Sequence, residues 1–125
     1  NRLGEIPHKQ LSYELVGLAQ KVHRVLGPGL PEAVYQRALC YEIAKSRIPF
    51  ENEKKIEVWY ESHLCGEFRL DLVVDGKIIL ELKAVDALCD AHTSQVLTYL
   101  KASGLRLAIL MNFGGKSLET KRVLL

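Results

Sequence analysis

The sequence predicts a mixed α/β fold in which helices cover a central β-sheet. Two stretches of helical periodicity come first, three strand-like segments follow, and a further helix separates these strands from a fourth. The order α-α-β-β-β-α-β includes a crossover helix before the last strand, which gives a mixed sheet. The length of 125 residues suits one domain of this kind, so we expect a single domain over residues 1–125.

The first two elements are predicted to be helices. Apolar residues recur at helical spacing from Leu11 to Leu26, and Gly27-Pro28-Gly29 ends this first helix. Pro31 suits the first turn of a second helix, which we expect to run to about Lys45.

The middle of the chain changes to the period of a β-strand. Ile56, Val58 and Tyr60 alternate with Glu57, Trp59 and Glu61. A turn near Ser62-His63 then leads to the apolar run Phe68–Val74. Asp75-Gly76 is a strong hairpin signal, so the next strand is expected over Lys77–Ala84.

The last third of the chain returns to a helix before a final buried strand. Ala91–Ser103 is predicted to be helical and closed by Gly104. Leu105–Phe113 is predicted to be a buried strand, and Ser117–Leu125 is a short terminal element of undecided type.

The loop at Asp75-Gly76 determines whether Asp71 shares a sheet face with Glu81 and Lys83. Residues i and i+2 of a strand point to the same side, so Glu81 and Lys83 share a face. A loop of two residues puts Asp71 on the other face, whereas a loop of three residues puts it on the same face.

The hydrophobic pattern favours a loop of three residues, Val74-Asp75-Gly76. One face of the hairpin is then wholly apolar, whereas the shorter loop would mix charged side chains with leucines. Asp71 is then expected opposite Ile79 and diagonal to Glu81, about 7–8 Å away. The apolar face would carry Phe68, Leu70, Leu72, Val74, Ile78, Leu80, Leu82 and Ala84. The second face would carry Arg69, Asp71, Val73, Ile79, Glu81 and Lys83.

Two interpretations fit a face that holds one Asp, one Glu and one Lys. The first is a solvated sheet face with a salt bridge, because antiparallel sheets often have one polar face. The second is a divalent metal site, because Mg²⁺ takes one or two protein carboxylates and keeps several waters. In that case the lysine is suited to hold a phosphate or orient an attacking water.

These residues resemble the signature of a nuclease superfamily. Asp71 followed by Glu81-Leu82-Lys83 is similar to the D…(D/E)xK motif of the PD-(D/E)XK, or restriction-endonuclease-like, superfamily. Gln95 and Tyr99, four residues apart on one helix face, resemble the QxxxY motif of its exonuclease-like branch. Gly29–Tyr35 reads GxxExxY, the motif that names a small bacterial family within this superfamily.

The resemblance implies a restriction-endonuclease-like core and a role for each matching residue. Asp71 and Glu81 would bind Mg²⁺ or Mn²⁺, and Lys83 would activate or position the hydrolytic water. Glu32 would complete the metal shell from its helix, although an acid in a first turn is also favoured by the helix dipole. Leu70 stands where the superfamily signature has proline.

The same resemblance suggests residues that contact the substrate. Gln95 would steady the site or the scissile phosphate, and Tyr99 would stack against the substrate or belong to the core. Arg69 shares the predicted site face, and His92 lies near the face of Gln95, so both are candidates for substrate contact. A hydrogen-bonded structural histidine is the alternative for His92, and Tyr35 is expected to pack between helix and sheet.

The expected function is a metal-dependent nuclease that acts on DNA. The formal net charge of +2 predicts modest, salt-sensitive nucleic-acid binding. Specificity would come from substrate structure or ends, from a homodimer, or from a partner protein. The alternatives are a non-catalytic nucleic-acid- or protein-binding regulatory module that keeps the fold, and a structural assembly domain.

The remaining composition indicates a cytoplasmic protein. No charged-then-apolar leader is visible, and the apolar runs are shorter than the roughly 18–20 residues that a membrane helix needs. The three cysteines are widely spaced without a CxxC motif, which is typical of reduced thiols and not of a disulfide framework or a zinc site.

Overall fold

A computed structural model describes residues 5–125 of the protein, so the first four residues of the predicted domain lie outside the described part. The helices and strands follow the predicted order with one strand added at the end. The elements are α1 (Lys9–Leu26), α2 (Glu32–Lys45), β1 (Phe50–Tyr60), β2 (His63–Val74), β3 (Ile78–Lys83), α3 (Asp90–Ser103), β4 (Leu107–Asn112) and β5 (Glu119–Leu124). The undecided terminal element is therefore a strand.

The five strands form one mixed sheet in the order β1-β2-β3-β4-β5. Three neighbouring pairs are antiparallel, and β3 and β4 are parallel. A parallel pair needs a crossover connection, which α3 supplies between these two strands. The predicted mixed sheet is confirmed. Within residues 5–125, no helix is long and apolar enough to span a membrane.

Both faces of the central strands are buried under helices. On one side, leucines and valines of β2 and β3 pack against α1 and α2, including Leu15, Leu39 and Ile43. On the other side, Val73 and Ile79 pack against Val96 and Leu100 of α3. The sequence analysis places Val73 and Ile79 on the polar face of the hairpin. In the structure α3 covers both side chains, so this prediction is incomplete.

The predicted apolar face is wrong at its β2 end. Leu72 faces α1 and α2, but Leu70 and Phe68 belong to the cluster under α3. The strand changes its facing side between Leu70 and Leu72. The neighbouring strand is irregular at the same level, where Glu53 has φ 56° and the β1–β2 pairing passes from Asn52–Leu72 to Lys54–Leu70 without a pair for Asp71.

The β2–β3 loop has three residues, as predicted, but they are Asp75-Gly76-Lys77. Asp75 and Gly76 both have positive φ, and the Lys77 N–H donates to the Val74 carbonyl at 2.9 Å. The ladder then begins with the pair Val74 and Ile78. The hydrogen bond from Lys77 closes the Asp-Gly turn, so Lys77 is the third residue of the loop. The expected position of Asp71 opposite Ile79 is therefore wrong, because Val73 occupies it.

The Gly29–Tyr35 segment fixes the start of α2. The Tyr35 hydroxyl donates to the Gly27 carbonyl at 2.5 Å and accepts from the Leu30 N–H at 3.1 Å. Its ring stacks on Phe113 with 4.8 Å between centroids. Gly29 has φ 101°, a conformation that other residues rarely adopt. Tyr35 therefore packs as expected and also holds the loop that leads into the first turn of α2.

Candidate active site

The site lies where β2 and β3 separate. Their backbone ladder ends at the pair Leu72 and Leu80. One residue further along, the Asp71 N–H donates to Glu81 Oε1 at 3.0 Å, and the Leu82 N–H donates to Asp71 Oδ2 at 2.9 Å. Each carboxylate therefore binds a backbone donor of the opposite strand. This exchange brings Asp71 and Glu81 together and aims both at the gap between the strands.

Burial dominates the electrostatics of this pair. Glu81 is only 3% exposed. Burial first, and then the negative charge of Asp71, raise the pKa of Glu81 to about 8. Burial also raises the pKa of Asp71, although the hydrogen bond from Leu82 opposes this shift. In the metal-free protein, the pair therefore retains a proton near neutral pH.

Glu32 approaches the pair from the first turn of α2. Its partial burial, followed by the charge of Asp71, raises its pKa, and the nearby Lys83 acts in the opposite direction. The helix therefore places a third carboxylate within the electrostatic field of the strand residues. The structure brings Glu32, Asp71, Glu81 and Lys83 near one another.

Two residues of α3 close the opposite side of the site. Lys83 Nζ donates to Gln95 Oε1 at 3.1 Å. Tyr99 lies one turn further along α3 and contacts Phe68, with 5.3 Å between the ring centroids. Burial raises the pKa of its hydroxyl, with further contributions from Glu81 and Asp71. Tyr99 is thus a core residue whose hydroxyl lies near the carboxylates.

Arg69 and His92 are not brought into this group. His92 Nδ1 accepts the Cys89 N–H at 3.1 Å, which makes it part of the cap of α3. Arg69 is exposed and lies across from Lys55 of β1. Within residues 5–125, no hydrogen bond or ion pair joins Arg69 or His92 to Asp71 or Glu81.

Two residues near the site were missed by the sequence analysis. Gln36 Nε2 lies 2.7 Å from Glu53 Oε2 and 3.3 Å from the Asp71 carbonyl oxygen. The charge of Glu53 contributes to the raised pKa values of Asp71 and Glu32. The position of Gln36, four residues after Glu32, was an available signal for a shared helix face. Glu53 gave no sequence signal of this kind, because it precedes the segment predicted as the first strand.

The backbone that follows Lys83 is held from the end of β4. The Phe113 N–H donates to the Lys83 carbonyl at 2.8 Å. The buried Asn112 side chain accepts the Val85 N–H and donates to the Val85 carbonyl, each at 3.0 Å. A methyl group on Gly114 would collide with the backbone of Val85. These contacts fix where β3 ends and so fix the base of the Lys83 side chain.

The donor set fits a hard divalent cation. Within the described residues, no group of three or more His, Cys, Asp or Glu side chains is arranged to hold a metal ion. Two carboxylates are nevertheless sufficient for Mg²⁺, which commonly takes one or two and completes its shell with water and substrate phosphate. Among residues 5–125, no basic side chain forms an ion pair with Asp71 or Glu81, and the nearby Lys83 bonds to Gln95. A divalent ion would neutralise this pair.

Comparisons with known proteins bear on the family and the fold of the chain. A sequence profile described as the PD-(D/E)XK nuclease superfamily matches residues 9–123, a range that includes every residue of the site. The mixed sheet and the order of its elements fit the predicted restriction-endonuclease-like fold, which is confirmed. Among proteins with curated descriptions, none matches.

One solved structure shares the fold. The crystal structure of SSO0001 has a TM-score of 0.61 and 16% sequence identity to this chain. The match covers 94% of this chain and 57% of SSO0001, so the chain spans little more than half the length of that protein. At this identity the likeness concerns the fold alone.

Proposed function

The chain belongs to the PD-(D/E)XK nuclease superfamily, and from this premise we propose that it hydrolyses phosphodiester bonds of DNA in a divalent-metal-dependent reaction. The observation that carries the proposal is the pair of Asp71 and Glu81, which binds backbone donors across the gap between β2 and β3 with Lys83 beside it. We place the chain more finely in the GxxExxY family on the segment Gly29–Tyr35.

Asp71 and Glu81 are the proposed ligands of Mg²⁺ or Mn²⁺. When bound, such an ion neutralises charge on the phosphate and lowers the pKa of the attacking water. The backbone N–H groups of Asp71 and Leu82 hold one oxygen of each carboxylate in place. Glu32 adds a third negative charge from the first turn of α2. Among the neighbouring charges, that of Asp71 has the largest effect on the pKa of Glu32.

Lys83 is proposed to position the attacking water and the scissile phosphate. Its ammonium group has three hydrogens, and the Gln95 side chain accepts one of them at 3.1 Å. The remaining hydrogens are available to oxygen atoms of the substrate. Gln95 therefore orients the lysine, and Tyr99 walls the site from the side of α3.

The proposed substrate contacts lie around this centre. Arg69, two residues before Asp71 on β2, is an exposed positive charge suited to a DNA phosphate. His92 uses Nδ1 in the helix cap, so only its other ring nitrogen is offered to a substrate. Selection of the DNA target is assigned to substrate structure or ends, or to a homodimer or partner protein, acting in the cytoplasm.

A cleavage assay tests the proposal. Labelled single- and double-stranded DNA and the matching RNA are incubated with the protein in Mg²⁺, Mn²⁺ or EDTA. We expect metal-dependent cleavage of DNA by the wild type and none by the Asp71→Asn, Glu81→Gln double variant. Both amides keep an oxygen that can accept the bonds from Leu82 and Asp71, so the fold should survive.

Calorimetric titration of Mn²⁺ into the same two proteins gives a separate readout of the metal site. We expect binding by the wild type and a loss of binding in the double variant. Metal-independent cleavage, or equal cleavage by the double variant, would contradict the proposed site. Nucleic-acid binding without any cleavage would favour a binding module that keeps the nuclease fold.

A further inference from the structure

A cavity of about 380 Å³ lies beside the site, between α2 and β1. Its lining combines side-chain amides, a carboxylate, a guanidinium and a thiol with one small apolar residue. These residues are Ala33, Gln36, Arg37, Cys40, Asn52 and Glu53. A volume of this order accommodates a small planar ligand such as a nucleobase.

The cavity shares a wall with the acidic pair. Gln36, which lines the cavity, lies 3.3 Å from the carbonyl oxygen of Asp71. Glu53, on the β1 side of the cavity, is close enough to raise the pKa values of Asp71 and Glu32. A ligand in the cavity would therefore lie next to a phosphate held at Asp71.

Around Gln36, the cavity wall has more hydrogen-bond acceptor atoms than hydrogens that reach them. Gln36 Nε2 has two hydrogens but three acceptors nearby: Asn52 Oδ1 at 2.8 Å, Glu53 Oε2 at 2.7 Å and the Asp71 carbonyl oxygen. The Cys40 thiol donates to Asn52 Oδ1 at 3.7 Å, so these three acceptors have three hydrogens between them. Within residues 5–125, no hydrogen bond reaches the second carboxylate oxygen of Glu53, and this oxygen suits a ligand that brings an N–H donor.

Arg37 gives the cavity a positive charge at its exposed side. Its side chain is exposed and makes no ion pair with any residue in the described range 5–125. A guanidinium in this position would bind the phosphate that accompanies the ligand. A carboxylate oxygen on the β1 wall and a cation on the α2 wall together match a nucleotide whose base has an exocyclic amino group.

We propose that this cavity is a subsite for one nucleotide next to the scissile phosphate and that it prefers adenine or cytosine to thymine. A Glu carboxylate accepts from the amino group of adenine or cytosine, whereas thymine offers a carbonyl oxygen in its place. Glu53 is the specificity-determining residue of this subsite, and Arg37 holds the phosphate. The inference rests on the proposed nuclease function and adds a preference at one substrate position.

Substitution along the substrate tests the subsite. A set of labelled DNA oligonucleotides has one abasic nucleotide, moved through the positions around a mapped cleavage site. We expect a loss of about tenfold in kcat/KM at one position next to the cut, and thymine at that position should be worse than adenine or cytosine. The Glu53→Gln variant, whose amide both donates and accepts, should lose this difference between bases.

A pair of variants on α2 tests the role of Arg37. Arg37→Ala should raise KM about tenfold and leave kcat nearly unchanged, because the guanidinium contacts a phosphate that does not react. Lys45→Ala removes the same charge from the last turn of the same helix and should change KM by less than about twofold. Anisotropy of the labelled DNA in Ca²⁺ gives the corresponding affinities without turnover.

The failures of the two proposals are distinguishable. Wild-type cleavage that is equally tolerant of abasic nucleotides at every position, or equal effects of Arg37→Ala and Lys45→Ala, would overturn the subsite and leave the nuclease in place. A wild type that neither cleaves nor binds DNA or RNA would overturn both proposals.

Discussion

The two halves of the β2–β3 pair satisfy their backbone hydrogen-bond donors in different ways. From Leu72 to Val74 the backbone groups pair with β3, and the side chains are buried on both faces. At Asp71 and Glu81, one residue beyond, carboxylates take the place of backbone acceptors. The first arrangement stabilises the sheet, whereas the second buries two acids and raises the pKa of Glu81 to about 8.

This difference shows how the hairpin separates stability from chemistry. The paired half anchors both strands in two apolar clusters, one on each side of the sheet. The separated half can then hold like charges without breaking the hairpin. We expect substitutions in the two halves to affect different measurements, and the following predictions test that separation.

The largest effect is expected at the separated half. Asp71→Asn removes a negative charge but keeps an oxygen to accept the Leu82 N–H, so it should lower kcat by about 10³-fold without unfolding the protein. The matched control is Asp75→Asn in the hairpin loop. Asp75 is exposed with φ 53°, a conformation that Asn tolerates. Steady-state cleavage and thermal unfolding of both variants check this; equal losses of kcat would contradict it.

Ile79→Ala should lower stability and leave kcat nearly unchanged, the opposite of the result expected for Asp71→Asn. Ile79 is fully buried under α3, so the cavity should reduce the free energy of unfolding by about 3–4 kcal/mol. Its kcat should stay near that of the wild type at temperatures where the variant is folded. Urea unfolding and cleavage rates measure the two quantities. A folded Ile79→Ala protein with little activity would show that the halves are not separable.

The stability of the metal-free protein should fall as pH rises. The pKa of Glu81 is about 8 in the folded protein and near its ordinary value of 4.5 when unfolded, so the folded state retains a proton that the unfolded state releases. The stabilisation is complete below about pH 4.5 and is lost as pH rises through about 8.

Urea unfolding in EDTA at several pH values measures this slope. The raised pKa values of Asp71 and Glu32 act in the same direction. Glu81→Gln cannot ionise and should flatten most of the slope between about pH 5 and 8. An equal slope in the wild type and in Glu81→Gln would mean that Glu81 is not the group responsible.

The smallest of these effects is expected at Gln95. Gln95→Ala removes the acceptor of the Lys83 ammonium, so the lysine should be less well oriented and kcat should fall about tenfold with little change in KM. Ser94→Ala, at the neighbouring exposed position of α3, is the control and should leave kcat unchanged. An increase in KM with kcat unchanged would instead assign Gln95 to substrate binding.

The sequence was sufficient for the helices and for the odd length of the hairpin loop. Periodicity and the Gly and Pro residues around Gly27-Pro28-Gly29 are local signals, and they predicted the end of α1 correctly. The alternation of apolar residues predicted the odd loop but not the sides of Leu70 and Phe68, because β2 changes its facing side between Leu70 and Leu72. The match of Asp71, Glu81 and Lys83 to a known motif depended only on residue types and spacing.

What the sequence did not determine depends on pairing between strands. The turn hydrogen bond from Lys77 to Val74 moved the register by one pair and brought Asp71 level with Glu81. The polar start of β1, which includes Glu53, has no strand periodicity and is a strand because β2 pairs with it. The cavity beside Gln36 also depends on the position of β1, so the sequence did not predict it.

Gly114 has a consequence for how this protein tolerates mutation. It has no chemical group to offer, yet the backbone of Val85 leaves no room for a side chain there. Since Val85 follows Lys83 by two residues, a larger residue at 114 would displace the lysine from behind. In a saturation scan selected for activity, Gly114 should therefore group with the acidic residues of the site, while the neighbouring Lys116 should accept most replacements.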